Sequence, residues 1–67
     1  MFIKLLTNNT NGEIINTDNI CSMFLQATVI KILFTGRDSY EHYTFKNETE
    51  AKKIFKMLEE AIKTFKY

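Results

Sequence analysis

The stretch "NETEAKKIFKMLEEAIKTF" (residues 47–65) decides the fold, because it carries the clearest periodic pattern in the chain. Asn47 stands where a helix N-cap is expected, and Glu50 follows three residues later, the spacing of a capping box. Apolar residues then recur every three or four positions, which places them on one side of a helix. The pattern predicts one long C-terminal helix over about residues 48–66, whose apolar stripe consists of Ala51, Ile54, Phe55, Leu58, Ala61, Ile62 and Phe65.

The residues before this helix predict about four or five antiparallel strands, because short apolar runs alternate with polar turns. The stretch Gln26-Ala27-Thr28 contains neither Gly nor Pro, so either a turn or one long bent strand fits there. Together with the helix, these runs predict a single α+β domain over residues 1–67, with the helix packed on one face of a small antiparallel sheet. The predicted strands are residues 2–7, 13–16, 20–26, 28–35 and 40–46.

Three polar segments connect these strands. Asn11-Gly12 is a strong hairpin signal because both residues tolerate positive φ, and "GRDS" (residues 36–39) predicts a second turn with Arg37 exposed. The quartet "NTDN" (residues 16–19) presents a choice between a ligand site and a corner. It lacks the alternating carboxylates and acidic terminator of a calcium loop, whereas Asn and Asp side chains build tight corners by bonding to nearby backbone groups. The quartet therefore predicts a corner.

The predicted sheet has more apolar side chains than one helix can cover. Alternation directs Ile30, Ile32 and Phe34 toward the helix, together with Tyr43 and Phe45. The other apolar side chains either form an interface with another protein chain or are covered because the sheet curls and closes on itself. We favour the interface, since large apolar patches usually mark one. The candidate interface residues are Phe2, Leu6, Met23, Leu25, Leu33 and Arg37.

No pattern of residues predicts catalysis. Cys21 and His42 are the only thiol and imidazole in the chain. Cys21 lies in an apolar run, where a buried and inert thiol is expected, and His42 is expected to be exposed. No His, Cys, Asp or Glu residues fall at a recognised metal-ligand spacing. The sequence therefore predicts a protein that is not an enzyme, with no cofactor and no metal site.

Charge and length limit the partners. Nine basic and eight acidic residues give a net charge of +1, too weak a field to favour nucleic acid strongly. An alternative interpretation is a nucleic-acid-binding regulator, whose candidate contacts are Lys52, Lys53 and Lys56. Glutamates on the same helix dilute the positive charge of these lysines. A domain of 67 residues without disulfides commonly gains stability by oligomerisation, so we expect self-association. The lone cysteine fits a reducing cytoplasm, and no run is long enough for a membrane span.

Short apolar and turn positions between residues 3 and 50 form a pattern that consists of Ile3, Lys4, Leu5, Asn11, Gly12, Ile15, Asn16, Asp18, Ile20, Thr28, Val29, Ile30, Leu33, Gly36 and Tyr40. In this pattern the chain resembles the small FlbD-type flagellar and swarming-motility proteins of bacteria. The resemblance covers roughly residues 3–50. It implies a non-enzymatic cytoplasmic protein, with a motility accessory role as one alternative, and it supplies no site residues. The abundance of Lys, Ile and Asn also suggests an AT-rich bacterial or phage genome.

Overall fold

The computed structural model describes residues 1–9 and 12–62 and has an α+β fold. The prediction of about four or five antiparallel strands followed by a C-terminal helix is confirmed, with five strands present. Residues 63–66 of the predicted helix lie outside the described part. In chain order the elements are β1 (Phe2–Leu5), β2 (Glu13–Asn16), a 3₁₀ turn (Thr17–Asn19), β3 (Ile20–Gln26), β4 (Val29–Phe34), β5 (Glu41–Thr44) and α1 (Glu48–Ile62).

The strands form two sheets, so the prediction of one sheet is wrong. β1 and β2 form an antiparallel hairpin, and β3, β4 and β5 form a second antiparallel sheet in that order. The 3₁₀ turn separates them, because it redirects the chain between β2 and β3. Asn16 Oδ1 caps this turn by accepting a hydrogen bond from the Asp18 N–H at 3.1 Å. The predicted corner is therefore confirmed, and it is the point at which one sheet ends and the next begins.

One hydrophobic core lies between the inner faces of the two sheets and the helix. The helix packs against β3, β4 and the 3₁₀ turn, and Asn47 caps it through a 2.8 Å bond from the Glu50 N–H to Asn47 Oδ1. The inner face of the hairpin packs against the same core, so the hairpin covers apolar side chains in addition to those that the helix covers. The alternation of side chains along each strand does not by itself reveal this packing. The buried apolar residues are Leu5, Ile15, Ile20, Ile30, Ile32, Tyr43, Phe45, Ala51 and Leu58.

A β-bulge at Cys21 changes which side chains of β3 face the core. Ile20 pairs with Phe34, but Ser22 pairs with Leu33, so β3 contains one extra residue at this point. An extra residue shifts the alternation of every later side chain by one position. Met23 and Leu25 consequently lie against the core, and the alternation that places them on the helix-free face is wrong. Cys21 itself is exposed rather than buried.

The outer edge of β5 is covered by the segment that follows β1. The Asn8 N–H donates to the Thr44 carbonyl at 2.8 Å. The Asn9 side-chain amide bonds to the backbone of β5 as a neighbouring strand would. Its Nδ2 donates to the His42 carbonyl at 2.8 Å, and its Oδ1 accepts from the Thr44 N–H at 3.1 Å. These bonds satisfy backbone groups that an edge strand would otherwise leave open.

The link between β3 and β4 is a two-residue turn, which resolves the alternative left open by the sequence. Gln26 pairs with Val29, and Ala27 adopts a positive φ of 55°. An alanine in this region is strained by about 1–2 kcal/mol because its Cβ approaches a carbonyl oxygen.

Replacing Ala27 with glycine is expected to stabilise the protein by about 0.5–1 kcal/mol, since glycine removes this strain but loses more chain entropy on folding. Urea unfolding measures the change. The matched control is Gly36→Ala, at a φ of 84° with no atom within 4 Å of the new Cβ, which should destabilise by a similar amount. A less stable Ala27→Gly variant would contradict the expected strain.

Candidate interaction surfaces

Three large apolar side chains stand on the outer face of the hairpin, and we call them the hairpin patch: Phe2, Leu6 and Ile14. Their side chains are 73%, 71% and 66% exposed, respectively. In the hairpin register, Phe2 faces Asn16 and Lys4 faces Ile14, so Phe2 and Ile14 are diagonal neighbours on one face. Leu6 joins them at the other end, because its side chain lies over Gly12, two residues before Ile14. The patch is therefore contiguous, and the candidate residues Phe2 and Leu6 belong to it.

Gly12 lies below the end of this patch. A Cβ at Gly12 would stand 3.1 Å from Lys4 Cε and 3.2 Å from Leu6 Cδ2. Both side chains therefore extend over the glycine on the solvent side of the hairpin. Lys4 is a charged residue on the same face as the hairpin patch, and its aliphatic stem adds further apolar surface.

Ile14 is the patch residue that the sequence prediction did not include. It adjoins Ile15 in "EIIN", and neighbouring residues of a strand point to opposite faces. Ile15 is buried in the core, so Ile14 must point outward. The same reasoning applies to Leu5 and Leu6, and such adjacent apolar pairs are the signal that identifies the patch.

Both strands of the hairpin also present backbone groups at open edges. The Thr17 N–H donates to the Met1 carbonyl at 2.8 Å, so odd-numbered residues of β1 bond to β2 across the hairpin. The N–H and C=O groups of Phe2 and Lys4 therefore point away from β2, and those of Ile14 and Asn16 point away from β1. A second chain can approach either edge next to the hairpin patch.

The remaining candidate interface residues lie elsewhere. Leu33 is on the helix-free face of the three-stranded sheet, as alternation predicts, and it is half-buried. Arg37 is exposed in the turn after β4, and its Nη1 lies 3.4 Å from Glu41 Oε2. Met23 and Leu25 pack against the core on β3. The six candidates thus occupy four regions instead of one surface: the hairpin patch, the helix-free face, the turn after β4 and the core side of β3.

Cys21 and His42 are placed differently along the three-stranded sheet. Cys21 Sγ is 3.5 Å from Thr35 Oγ1, beside the end of β4, whereas His42 pairs with Lys31 in the middle of β4. His42 is exposed, as expected. Within residues 1–9 and 12–62, no three His, Cys, Asp or Glu side chains converge as metal ligands, and no helix has the length and hydropathy needed to cross a membrane.

Tyr43 connects the two sheets through a side-chain hydrogen bond. Its hydroxyl, on β5, donates to Glu13 Oε2 on β2 at 2.9 Å. Burial raises the pKa of Tyr43 well above its usual value of 10.0, and the hydrogen bond to Glu13 and the charges of Glu13 and Glu41 raise this pKa further, against a smaller opposite effect of Arg37. The neutral phenol is therefore part of the folded structure.

This raised pKa predicts a loss of stability in alkali. Above pH 10 the unfolded chain releases the Tyr43 proton while the folded protein retains it, so the free energy of unfolding should fall by up to about 1.4 kcal/mol per pH unit. Urea unfolding between pH 9 and 11.5 measures the slope. Tyr43→Phe should show a shallower slope, and equal slopes would contradict the assignment.

The lysines between Glu48 and Ile62, the described extent of α1, form no clear basic surface. Lys52, Lys53 and Lys56 are exposed on the outer side of α1. Four exposed glutamates accompany them on the same helix: Glu48, Glu50, Glu59 and Glu60.

Neither protein-family models, nor curated proteins, nor solved structures give a match to this chain. The resemblance to FlbD-type proteins therefore stays a prediction.

Proposed function

We propose that this chain is a small non-enzymatic protein-interaction module, which binds and modulates a protein partner and self-associates through the hairpin patch. The exposure of Phe2, Leu6 and Ile14 on one contiguous face supports this proposal most directly. Isolated exposed apolar residues are ordinary, but a cluster on one small sheet commonly marks an interface.

The size of the patch favours a weak and reversible interaction. Burying one large apolar side chain contributes about 1.5–3 kcal/mol. Three side chains, each roughly 70% exposed, therefore contribute about 3–6 kcal/mol per copy, or about 6–13 kcal/mol in a symmetric pair. Association costs about 4–15 kcal/mol in lost translational and rotational freedom. The pair should accordingly form at micromolar concentrations or above, and a protein partner with a deeper complementary surface can compete with it.

The test is the solution mass of the full chain, measured by light scattering across a hundredfold concentration range that reaches about 1 mM, where even a marginal complex becomes populated. We expect the mass to rise from that of the monomer, 7.9 kDa, toward twice this value. A constant monomer mass across the range would refute self-association through the patch.

A further inference from the structure

The helix-free face of the three-stranded sheet is a second surface, separate from the hairpin patch. We call it the outer face. The register brings three residues of each of β3 and β4, two residues of β5 and the preceding Tyr40 to this side. Its nine positions are Ser22, Phe24, Gln26, Val29, Lys31, Leu33, Tyr40, His42 and Thr44.

Two aromatic rings and one ammonium group are held together on the outer face. The centroids of Phe24 and Tyr40 are 5.3 Å apart with the ring planes at 72°. Lys31 Nζ lies 5.6 Å from the Phe24 centroid, and the Tyr40 hydroxyl bonds to Ser22 Oγ at 3.0 Å. Because Ser22 and Phe24 are on β3 while Tyr40 precedes β5, and β4 lies between these two strands, the tyrosine side chain reaches across β4. The rings are thus ordered in advance, yet Phe24 and Tyr40 remain 41% and 37% exposed.

The charge of the outer face has one sign. Lys31 is its cation, and His42, opposite it in the register, adds an imidazole N–H that can donate to an anion. None of the nine described positions carries a carboxylate. The helix differs, because its lysines are interspersed with glutamates that repel phosphate. An anionic ligand is therefore favoured on the sheet and not on the helix, although the helix has more lysines.

We propose that the outer face binds single-stranded nucleic acid, with bases stacking on Phe24 and Tyr40 and backbone phosphates contacting Lys31 and His42. Aromatic side chains give every base a stacking surface, and a nearby cation offsets the phosphate charge. Two stacking rings and one cation provide contacts for about two nucleotides, so we expect a dissociation constant on the order of 10–1000 μM at low salt. This interaction goes beyond the proposed function and uses different residues.

The experiment is a titration of the ¹⁵N-labelled full chain with a thymidine oligonucleotide of about eight nucleotides, a length that falls within the usual site sizes. We expect shift changes at backbone amides of the outer face, centred on Phe24, Lys31 and Tyr40. Phe24→Ala should weaken binding about tenfold. Since the ring is on the helix-free side, the variant should keep the dispersed spectrum of the folded chain.

A second pair of variants tests the role of the cation independently of stacking. Lys31→Gln should reduce the slope of log K against log salt by about 0.7, the value for one phosphate contact on a single strand. Lys52→Gln, a matched change on the helix, should leave the slope unchanged. Equal effects of the two variants would overturn the proposal.

Three other outcomes would also overturn it. Shift changes centred on Lys52, Lys53 and Lys56 would assign the binding to the helix. The weakest binding expected has a dissociation constant of about 1 mM, so about half of the protein should be bound at about 1 mM oligonucleotide. The absence of shift changes at that concentration would mean that the outer face has no affinity for nucleic acid. Outer-face shifts that appear on simple concentration of the protein would assign this surface to contact between copies.

Discussion

Replacing Leu58 with alanine is expected to lower the free energy of unfolding by about 2–5 kcal/mol, the usual cost of removing a buried leucine side chain. Leu58 is fully buried, and within the described part of α1 it is the one large side chain that is completely enclosed. A domain of 67 residues has a total stability of about 3–10 kcal/mol. The variant should therefore lose a large part of the total stability and unfold at a much lower urea concentration than the native chain, as urea unfolding followed by circular dichroism would show.

The matched control for this change is the adjacent residue. Met57 is 41% exposed on the same helix, and Met57→Ala removes a side chain of similar size without opening a cavity. Its effect should stay within about 0.5 kcal/mol, as for most surface substitutions. Equal losses in the two variants would mean that α1 is not attached to the core through Leu58.

Replacing Ile14 with glutamate is expected to weaken self-association at least about a hundredfold. Each copy loses the burial of one isoleucine and must bury a carboxylate, which together exceed about 1.4 kcal/mol, or a factor of ten. In a symmetric pair the change occurs twice. Light scattering at the concentration where the native chain is half associated should then give the monomer mass.

The fold of the Ile14→Glu variant should remain intact, so that lost association is not explained by unfolding. The new carboxylate faces Lys4 across the hairpin, and an opposite-charge pair at this position contributes about 0.2–1 kcal/mol. Met57→Glu is the control, because it introduces the same charge at an exposed apolar site away from the patch. If Met57→Glu abolishes association while Ile14→Glu does not, the interface lies on the helix.

The sequence is informative where a local pattern determines the structure. The Asn47 cap and the three- and four-residue spacing of apolar residues predict the helix. The Asn16 side chain forms the corner because its Oδ1 accepts a hydrogen bond from the Asp18 N–H, two residues along the chain. Alternation within β4 and β5 correctly identifies Ile30, Ile32 and Tyr43 as core residues. Each of these features depends on residues that are close together in the chain.

The features that the sequence does not predict depend on pairing between distant segments. The bulge at Cys21 has no Gly or Pro to mark it, yet it shifts Met23 and Leu25 from the outer face to the core. The split into two sheets arises because β3 pairs with β4 and not with β2. The alternation of apolar and polar residues along β3 would be the same with either partner. The candidate surface is affected most, since a shift of one residue transfers a strand's apolar side chains to the other face.

The amide of Asn9 has a consequence for aggregation. It occupies the outer edge of β5 only while the hairpin is docked, and the bonds that hold it join residues 35 and 33 positions apart in the chain. If the hairpin detaches, β5 becomes an open strand in an otherwise folded protein, which is a template for intermolecular β-pairing. The tendency to form insoluble aggregates should therefore follow the local opening of β1 and β2, while the helix and the three-stranded sheet are still folded.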